Sequence, residues 1–540
     1  MRKVLRALSV SVLSVLLVLS LIGCAIPSPT PAASGSNEPT PAAGEPTATP
    51  KPAAPVTISV EVFDRSNAPE GGGTLTDSFL TRYIADNFSK NTNININWVP
   101  IPRSQEVDKL QVLMAGGTAP DIVFTYAKDV MFNYAKDGGL TEITAELMSN
   151  APNLQNYLGE EVLNDGKYLG KQFAIVAKRA LVAEHNSWIR KDLLDKLGLP
   201  LPTTTQELYD TLKIVMEKDP GNVGKDKIVA YGMHGAATGV PYMNYLQLLL
   251  SFSEPNASDE DWNVLPSFMF SGAKEGFRLL NKMYNEGMVS QDFALDDTSK
   301  KFNEDIVMGR TVFFTESVNS PLTISANGLL INLQKNVPGA ELVPVDTHKN
   351  ASGKYLKHIY SPTGMYIMIP KASKHAAEAL KYLDWMSQNI IPLTYGTEGV
   401  HYSLEDGIPV FKDPDLKKKD LWSSGDVCIV ANGTDLGTLE KNIKASVLSK
   451  APYEDLATEG LRISLNDGKA NTPFDVPIES EMKYGSNLKK IEQELVVRSI
   501  TVKTEEFDKT YDEFLNKWLS SGGQDVITEK RAAYQRLNNK

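Results

Sequence analysis

The side chains best placed to do chemistry are aromatic rings and planar polar groups in loops. The loop aromatics are Tyr126, Trp188, Tyr242, Tyr245, Trp262, Tyr360, Tyr402 and Trp422. The polar candidates are Asp64, Arg65, Thr125, Lys128, Asp129, Glu316, Asn319 and His401. Rings cover apolar C–H faces, and carboxylate, amide and guanidinium groups hydrogen-bond hydroxyls in pairs, the combination that grips a pyranose. Each candidate has a plainer competitor, because an isolated aromatic is more often core than ligand platform. Trp385 shares helical spacing with Tyr382 and reads as core, Arg190 has carboxylate neighbours, and His401 follows Glu398 closely enough to bond it. Catalytic signatures are absent: there is no HExxH, no phosphate loop ending GK[ST] and no GxSxG elbow. The six histidines are scattered. Carboxylates are abundant, so a paired-acid glycosidase stays open as an alternative.

The cysteines do a different job. Arg2, Lys3 and Arg6 precede an apolar run, Ala7 to Ile22, that is shorter than the ~20 residues of a spanning helix and fits a secretory leader. It ends Leu21-Ile22-Gly23-Cys24, which resembles the bacterial lipobox. That resemblance implies cleavage after residue 23 and lipidation of Cys24. Each buried methylene contributes roughly 0.8 kcal/mol, and two chains anchor stably where one does not. Residues 25–55, rich in Pro, Ala, Thr, Ser and Gly, cannot bury enough surface to order themselves and read as a semi-extended tether. Cys428, the other of two cysteines, then has no partner in the chain and is expected to be a buried free thiol.

The elements that must position the loops follow from periodicity. "VTISVEVF" alternates as a strand, with Val56, Ile58, Val60 and Val62 on one side and Thr57, Ser59 and Glu61 on the other. Leu80, Ile84 and Phe88 recur at helical spacing, "NININWV" alternates again, and a helix over 104–117 is expected with Ser104 as its N-cap. "APDIVFT" reads as a buried strand and 129–139 as a helix. Thr204 and Glu207 form a capping-box pattern. Alternating strands and helices mean an open α/β sheet, whose ligands sit off the carboxyl ends of its strands. That rule aims Asp64, Arg65, Thr125, Tyr126, Lys128 and Asp129 at one cleft. The formal net charge of −11 argues against nucleic acid or an anionic membrane surface as the main partner.

"KLQVLMAGGTAPDIVFT", "GGLTEI", "WIRKDLLDKLGLPLPTTTQELYDTLK", "GRTVFF", "SPTGMYIMIPKAS" and "YGTEGVHYSLEDG" together resemble the extracellular solute-binding proteins of the sugar-binding group, in its large Gram-positive lipoprotein branch. The resemblance implies a periplasmic-binding-protein-like type II fold: two α/β lobes joined by hinge strands, with a cleft between them. It divides the chain into a leader (1–23), lipidated Cys24 with its tether (24–55), lobe 1 (56–180), lobe 2 (181–356), a return to lobe 1 (357–395) and a C-terminal part of lobe 2 (396–540). Chain crossings are expected near 177–184 and 355–361, with a third contact near 391–400. It also places Glu316 on a ligand-facing loop. The implied role is a monomeric, lipid-anchored receptor on the outer face of the cell membrane, not an enzyme. It would close on an oligosaccharide and pass it to two permease subunits powered by a cytoplasmic ATPase. A peptide-binding protein, a surface glycan-cleaving enzyme and a surface sensor or adhesin are the alternatives. "DPGNVGKDKI" resembles the family's calcium loop and offers Asp219, Asn222 and Asp226, but Gly221 and Val223 carry no side-chain oxygen where calcium needs six or more donors. A tight polar turn is the competing reading, and no cofactor is required.

Overall fold

The structure, a computed structural model, describes residues 54–235, 239–253, 258–324 and 328–538. The leader, Cys24 and nearly all of the tether lie outside the described residues. No described helix is long and apolar enough to cross a membrane.

The first sheet contains β1 (Val56–Asp64), β2 (Ile94–Pro102), β3 (Val123–Thr125) and β4 (Ala174–Arg179). The second contains β5 (His185–Arg190), β6 (Val229–Gly232), β7 (Thr311–Ser317) and β8 (Leu342–Val345). Two later strands, β9 (Thr363–Met368) and β10 (Ala431–Asn432), return to the first sheet. Its order is β10-β4-β9-β3. β1, itself parallel to β2, joins the sheet just before β3, where Ile122 N–H donates to Ser59 O at 3.0 Å and Glu61 N–H donates to Ile122 O at 2.9 Å. The second sheet runs β8-β5-β7-β6.

Each sheet has one strand running against the rest. β9 is antiparallel to β3 and β4, while β10 is parallel to β4. β5 is antiparallel to β7 and β8, while β6 and β7 are parallel. These two are the strands by which the chain enters each lobe after a crossing, β5 after residues 180–184 and β9 after 346–362. A chain that arrives from the other lobe starts at the facing end of the sheet and must run away from it. The carboxyl ends of all the other strands therefore face the partner lobe, and both sheets aim their strand ends at one cleft. A third crossing leaves β10 through 433–438, rather than near 391–400. The linkers lie side by side: Ala180 N–H donates to Asn432 O at 3.0 Å and Tyr360 N–H to Val182 O at 2.9 Å.

Three cores follow from these layers. Ile58, Val62, Phe124, Ile175, Ile367 and Leu383 belong to the first lobe. The second sheet has a core on either face: Ile189, Phe313 and Val343 pack on one side, Trp188, Phe314 and Leu342 on the other. The 396–540 span is divided, contrary to the expectation that it all belongs to the second lobe. Leu421 and Val427 to Ala431 pack in the first core because β10 completes the first sheet, and residues 439–538 pack with the second. Both faces of β1 are covered, so Glu61, expected on its polar side, is buried. Its Oε2 accepts the Phe124 N–H at 3.0 Å, and burial pushes its carboxyl up to about 8. Thr204 and Glu207 do form the reciprocal capping box. Ser104 is no cap: it lies in a short 3-10 turn before the helix Glu106–Ala115.

Candidate functional site

The first lobe presents a rim of strand ends. β1 ends at Asp64, β2 is followed by Arg103, β3 by Tyr126, β4 ends at Arg179, and Tyr360 precedes β9. Tyr126 and Tyr360 are each 37% exposed, and among the described residues no other tyrosine and no tryptophan is as open. Each ring has one face occupied by a guanidinium. Arg103 Cζ lies 5.2 Å from the Tyr126 centroid, and Arg179 Cζ lies 4.3 Å from that of Tyr360. This cation–π contact fixes each ring, and more than a third of its surface stays open. Arg65 donates from Nε to both carboxylate oxygens of Asp426 at 2.9 Å. Desolvation raises the Tyr126 hydroxyl pKa, although Arg179, Arg103 and Arg65 all pull it down.

The floor and the second-lobe wall meet at Glu184, the last residue of the first crossing. Its carboxylate accepts hydrogen bonds from Tyr242 Oη and from His358 Nδ1, the latter at 2.5 Å. Burial would raise this carboxyl, but the two hydrogen bonds outweigh it and hold it below the usual range. Behind His358 stands Trp262, ring to ring at 6.3 Å and 17°, and Trp262 in turn stacks on Phe270 at 5.7 Å and 13°. Tyr242 meets His185 and His358 edge to face. His185 is buried and held neutral, its pKa lowered to about 4 by desolvation. At the end of β7, Glu316 accepts the Ser317 N–H at 3.0 Å, and burial raises its carboxyl.

Of the expected residues, Asp64, Arg65, Tyr126, Tyr242, Tyr360 and Glu316 stand at these strand ends and linkers, with Trp262 as wall behind His358. Asp64 turns back to accept the Ser66 N–H at 2.8 Å. Thr125 is fully buried and donates to Glu106 at 3.2 Å, so it supports the rim from below. Lys128 pairs with Asp165 and donates to Phe474 O at 2.7 Å, which ties the first lobe to a segment packed on the second. Asp129 is exposed in the first turn of the helix Lys128–Lys136.

Six candidate ligand residues are structural instead. Trp188 is fully buried because β5 is covered on both faces. Asn319 is buried and donates to Ala457 O at 2.9 Å. His401 is buried against Phe79 and accepts the Thr397 N–H at 3.0 Å, and its other nitrogen faces Asp420, not Glu398. Tyr402 is buried in a hairpin strand opposite Phe411. Tyr245 is core, and Trp422 packs on the first lobe with its Nε1 donating to Gly72 O at 3.0 Å. Arg103, Arg179, Glu184 and His358 escaped the sequence reading. The strand-end rule that found Asp64 would have found Arg103, and Arg179 and Glu184 lie inside the expected crossing.

In the 219–228 loop Gly221 and Val223, at the third and fifth positions, offer no side-chain oxygen to a calcium ion. Asp219 Oδ1 accepts the Val223 N–H at 2.9 Å and Oδ2 the Gly224 N–H at 2.8 Å, so the carboxylate serves its own turn. Among the described residues no group of three or more His, Cys, Asp or Glu is placed to hold a metal.

A family model described as bacterial extracellular solute-binding protein matches residues 72–389. Lipoprotein LipO of Bacillus subtilis is 25% identical over 458 residues, which cover 82% of this chain and 86% of that protein. The polygalacturonan/rhamnogalacturonan-binding protein YtcQ of the same organism is 25% identical over 475 residues, with the same shares of 82% and 86%. A solved HMO-binding, ABC-transporter-associated solute-binding protein from Bifidobacterium longum infantis superposes with a TM-score of 0.64 at 15% identity, covering 89% of this chain and 98% of that one. The fold is the periplasmic-binding-protein-like type II arrangement.

Proposed function

The chain belongs to the bacterial extracellular solute-binding protein family, and on that premise we propose that it is the substrate-binding component of an ABC importer for oligosaccharide. The observation that carries this reading is the pair of tyrosines at the cleft, Tyr126 and Tyr360, each backed by an arginine and open on its remaining surface. Such rings suit the apolar face of a pyranose, and the guanidinium and carboxylate groups around them suit its hydroxyls. The name of YtcQ, which matches over most of both chains, supports a carbohydrate.

The mechanism is closure. Three linkers join the lobes, so a ligand that touches both rims shifts an open–closed balance by its differential contacts with the two states. Lys128 and the Lys136–Glu479 pair join the first lobe to segments packed on the second. The closed form docks on two permease subunits, a cytoplasmic ATPase supplies the energy, and lipidated Cys24 holds the receptor at the outer face of the cell membrane. Binding is favoured over hydrolysis because three of the cleft carboxylates are held by side-chain partners: Asp426 by Arg65, Glu106 by Arg103, and Glu184 by Tyr242 and His358. Calorimetry of the full chain against oligosaccharides and peptides tests the proposal. Saccharide binding without turnover supports it, and binding of peptides alone overturns it.

A further inference from the structure

One of the cations around the two open tyrosines stands outside any ion pair. Three guanidiniums, Arg65, Arg103 and Arg179, surround Tyr126. Arg65 has Asp426 at 2.9 Å and Arg103 has Glu106 at 2.8 Å. Arg179 has no ion-pair partner among the described residues. Its Nε reaches only the Thr363 carbonyl, at 3.4 Å, and its plane lies over Tyr360. The nearby carboxylates have other hydrogen-bond partners, although Glu184 still acts on Arg179 as a more distant counter-charge. Glu184 holds Tyr242 and His358, Asp435 on the other side of β4 pairs with Lys178 at 2.8 Å, and Asp64 accepts from its own loop. Desolvation lowers the pKa of Arg179, while Tyr126, Tyr360 and Glu184 pull it back up in part, as expected of a half-buried cation outside any ion pair.

We propose that the cleft is built for an anionic saccharide, whose carboxylate or sulfate group completes the ion pair that Arg179 lacks. This rests on the saccharide reading above and adds the sign of the ligand's charge. A guanidinium fork matches either anion with two parallel hydrogen bonds, and it acts here beside an aromatic platform and partly shielded from water. A sugar ring on Tyr360 or Tyr126 carries its acidic group within reach of Arg179. The protein as a whole is acidic, so the attraction is local to the rim and does not come from net charge.

The test is calorimetric titration of the full chain with three probes of matched length: oligogalacturonides, sulfated galactan oligosaccharides and uncharged galactan oligosaccharides. An anionic probe should bind roughly ten- to a hundredfold more tightly than the uncharged one, as a charge-assisted hydrogen-bonded pair implies. The preference should shrink as salt rises. Whether the carboxylate or the sulfate probe wins identifies the group. Arg179→Gln should remove the preference, so that the anionic and uncharged probes bind alike whatever their shared affinity, and Arg179→Lys should keep part of it. A thermal midpoint for each variant shows that it folds, and the wild-type comparison decides the matter if neither does. Equal or tighter binding of the uncharged probe would overturn the anionic inference and leave the saccharide reading standing. A preference that survives in Arg179→Gln would overturn the role of Arg179. Binding of none of the three, with peptides bound instead, would overturn both.

Discussion

Replacing Tyr126 with alanine should weaken saccharide binding without disturbing the fold. The ring is 37% exposed. A tyrosine contributes about 200 Å², so about 75 Å² remains for a ligand to cover. At about 25 cal/mol per Å², full coverage is worth about 2 kcal/mol and half coverage about 1 kcal/mol. Kd should therefore rise roughly five- to twenty-five-fold. Arg103 still has Phe63, 4.9 Å away, and Glu106, so the guanidinium keeps its place when the ring is gone. The buried remainder of the ring, about 125 Å² or about 3 kcal/mol at the same rate, is lost as well, so the thermal midpoint should fall by a few degrees and binding is read well below it. Tyr126→Phe keeps the platform and should stay within a few-fold of wild type. Tyr360→Ala should behave like Tyr126→Ala, with the double variant's loss near the product of the two if the rings act independently. Isothermal titration of the four variants with the tightest-binding oligosaccharide reads all of this. An unchanged Kd in Tyr126→Ala, with the fold intact, would refute the claim that the ligand rests on this ring.

Three further outcomes are expected. Glu184 is held below its unfolded value of 4.5, so its contribution to stability is present above that pH and is lost as pH falls through the lower folded value. Thermal midpoints should fall more steeply below about pH 4.5 for the wild type than for Glu184→Gln, and parallel acid limbs would contradict this. Cys428 is buried, with its thiol pushed up to about 12 by burial, so a water-soluble thiol reagent should not label it in the folded protein at neutral pH and should label it on unfolding. Rapid native labelling would contradict that. Cys24→Ser should move the protein from the membrane fraction into the medium, and a variant that stays on the membrane would show another anchor.

Much of the frame was legible because it depends on local pattern. β1 and β2 alternate, Thr204 and Glu207 cap a helix, and the ends of β1 and β3 put Asp64 and Tyr126 at the cleft. The illegible parts depend on segments far apart in the chain. Glu184 meets His358 across a separation of 174 residues, and nothing near either residue announces the other. Trp188 misled because it follows a crossing, yet all six residues of its strand are buried, and position alone does not show that both faces are covered. Glu61 misled for the same reason in β1. Asn319 and His401 are polar and lie in or beside loops, but Asn319 donates to Ala457 O and His401 packs on Phe79, partners that only the three-dimensional structure discloses.

Closure of two lobes on a saccharide is the claim on which the rest depends, and solution X-ray scattering of the Cys24→Ser protein tests it most directly. At a saccharide concentration shown by calorimetry to saturate the site, the radius of gyration should decrease and the profile should shift toward a more compact particle. A profile that stays superimposable on the ligand-free one at saturation would contradict closure.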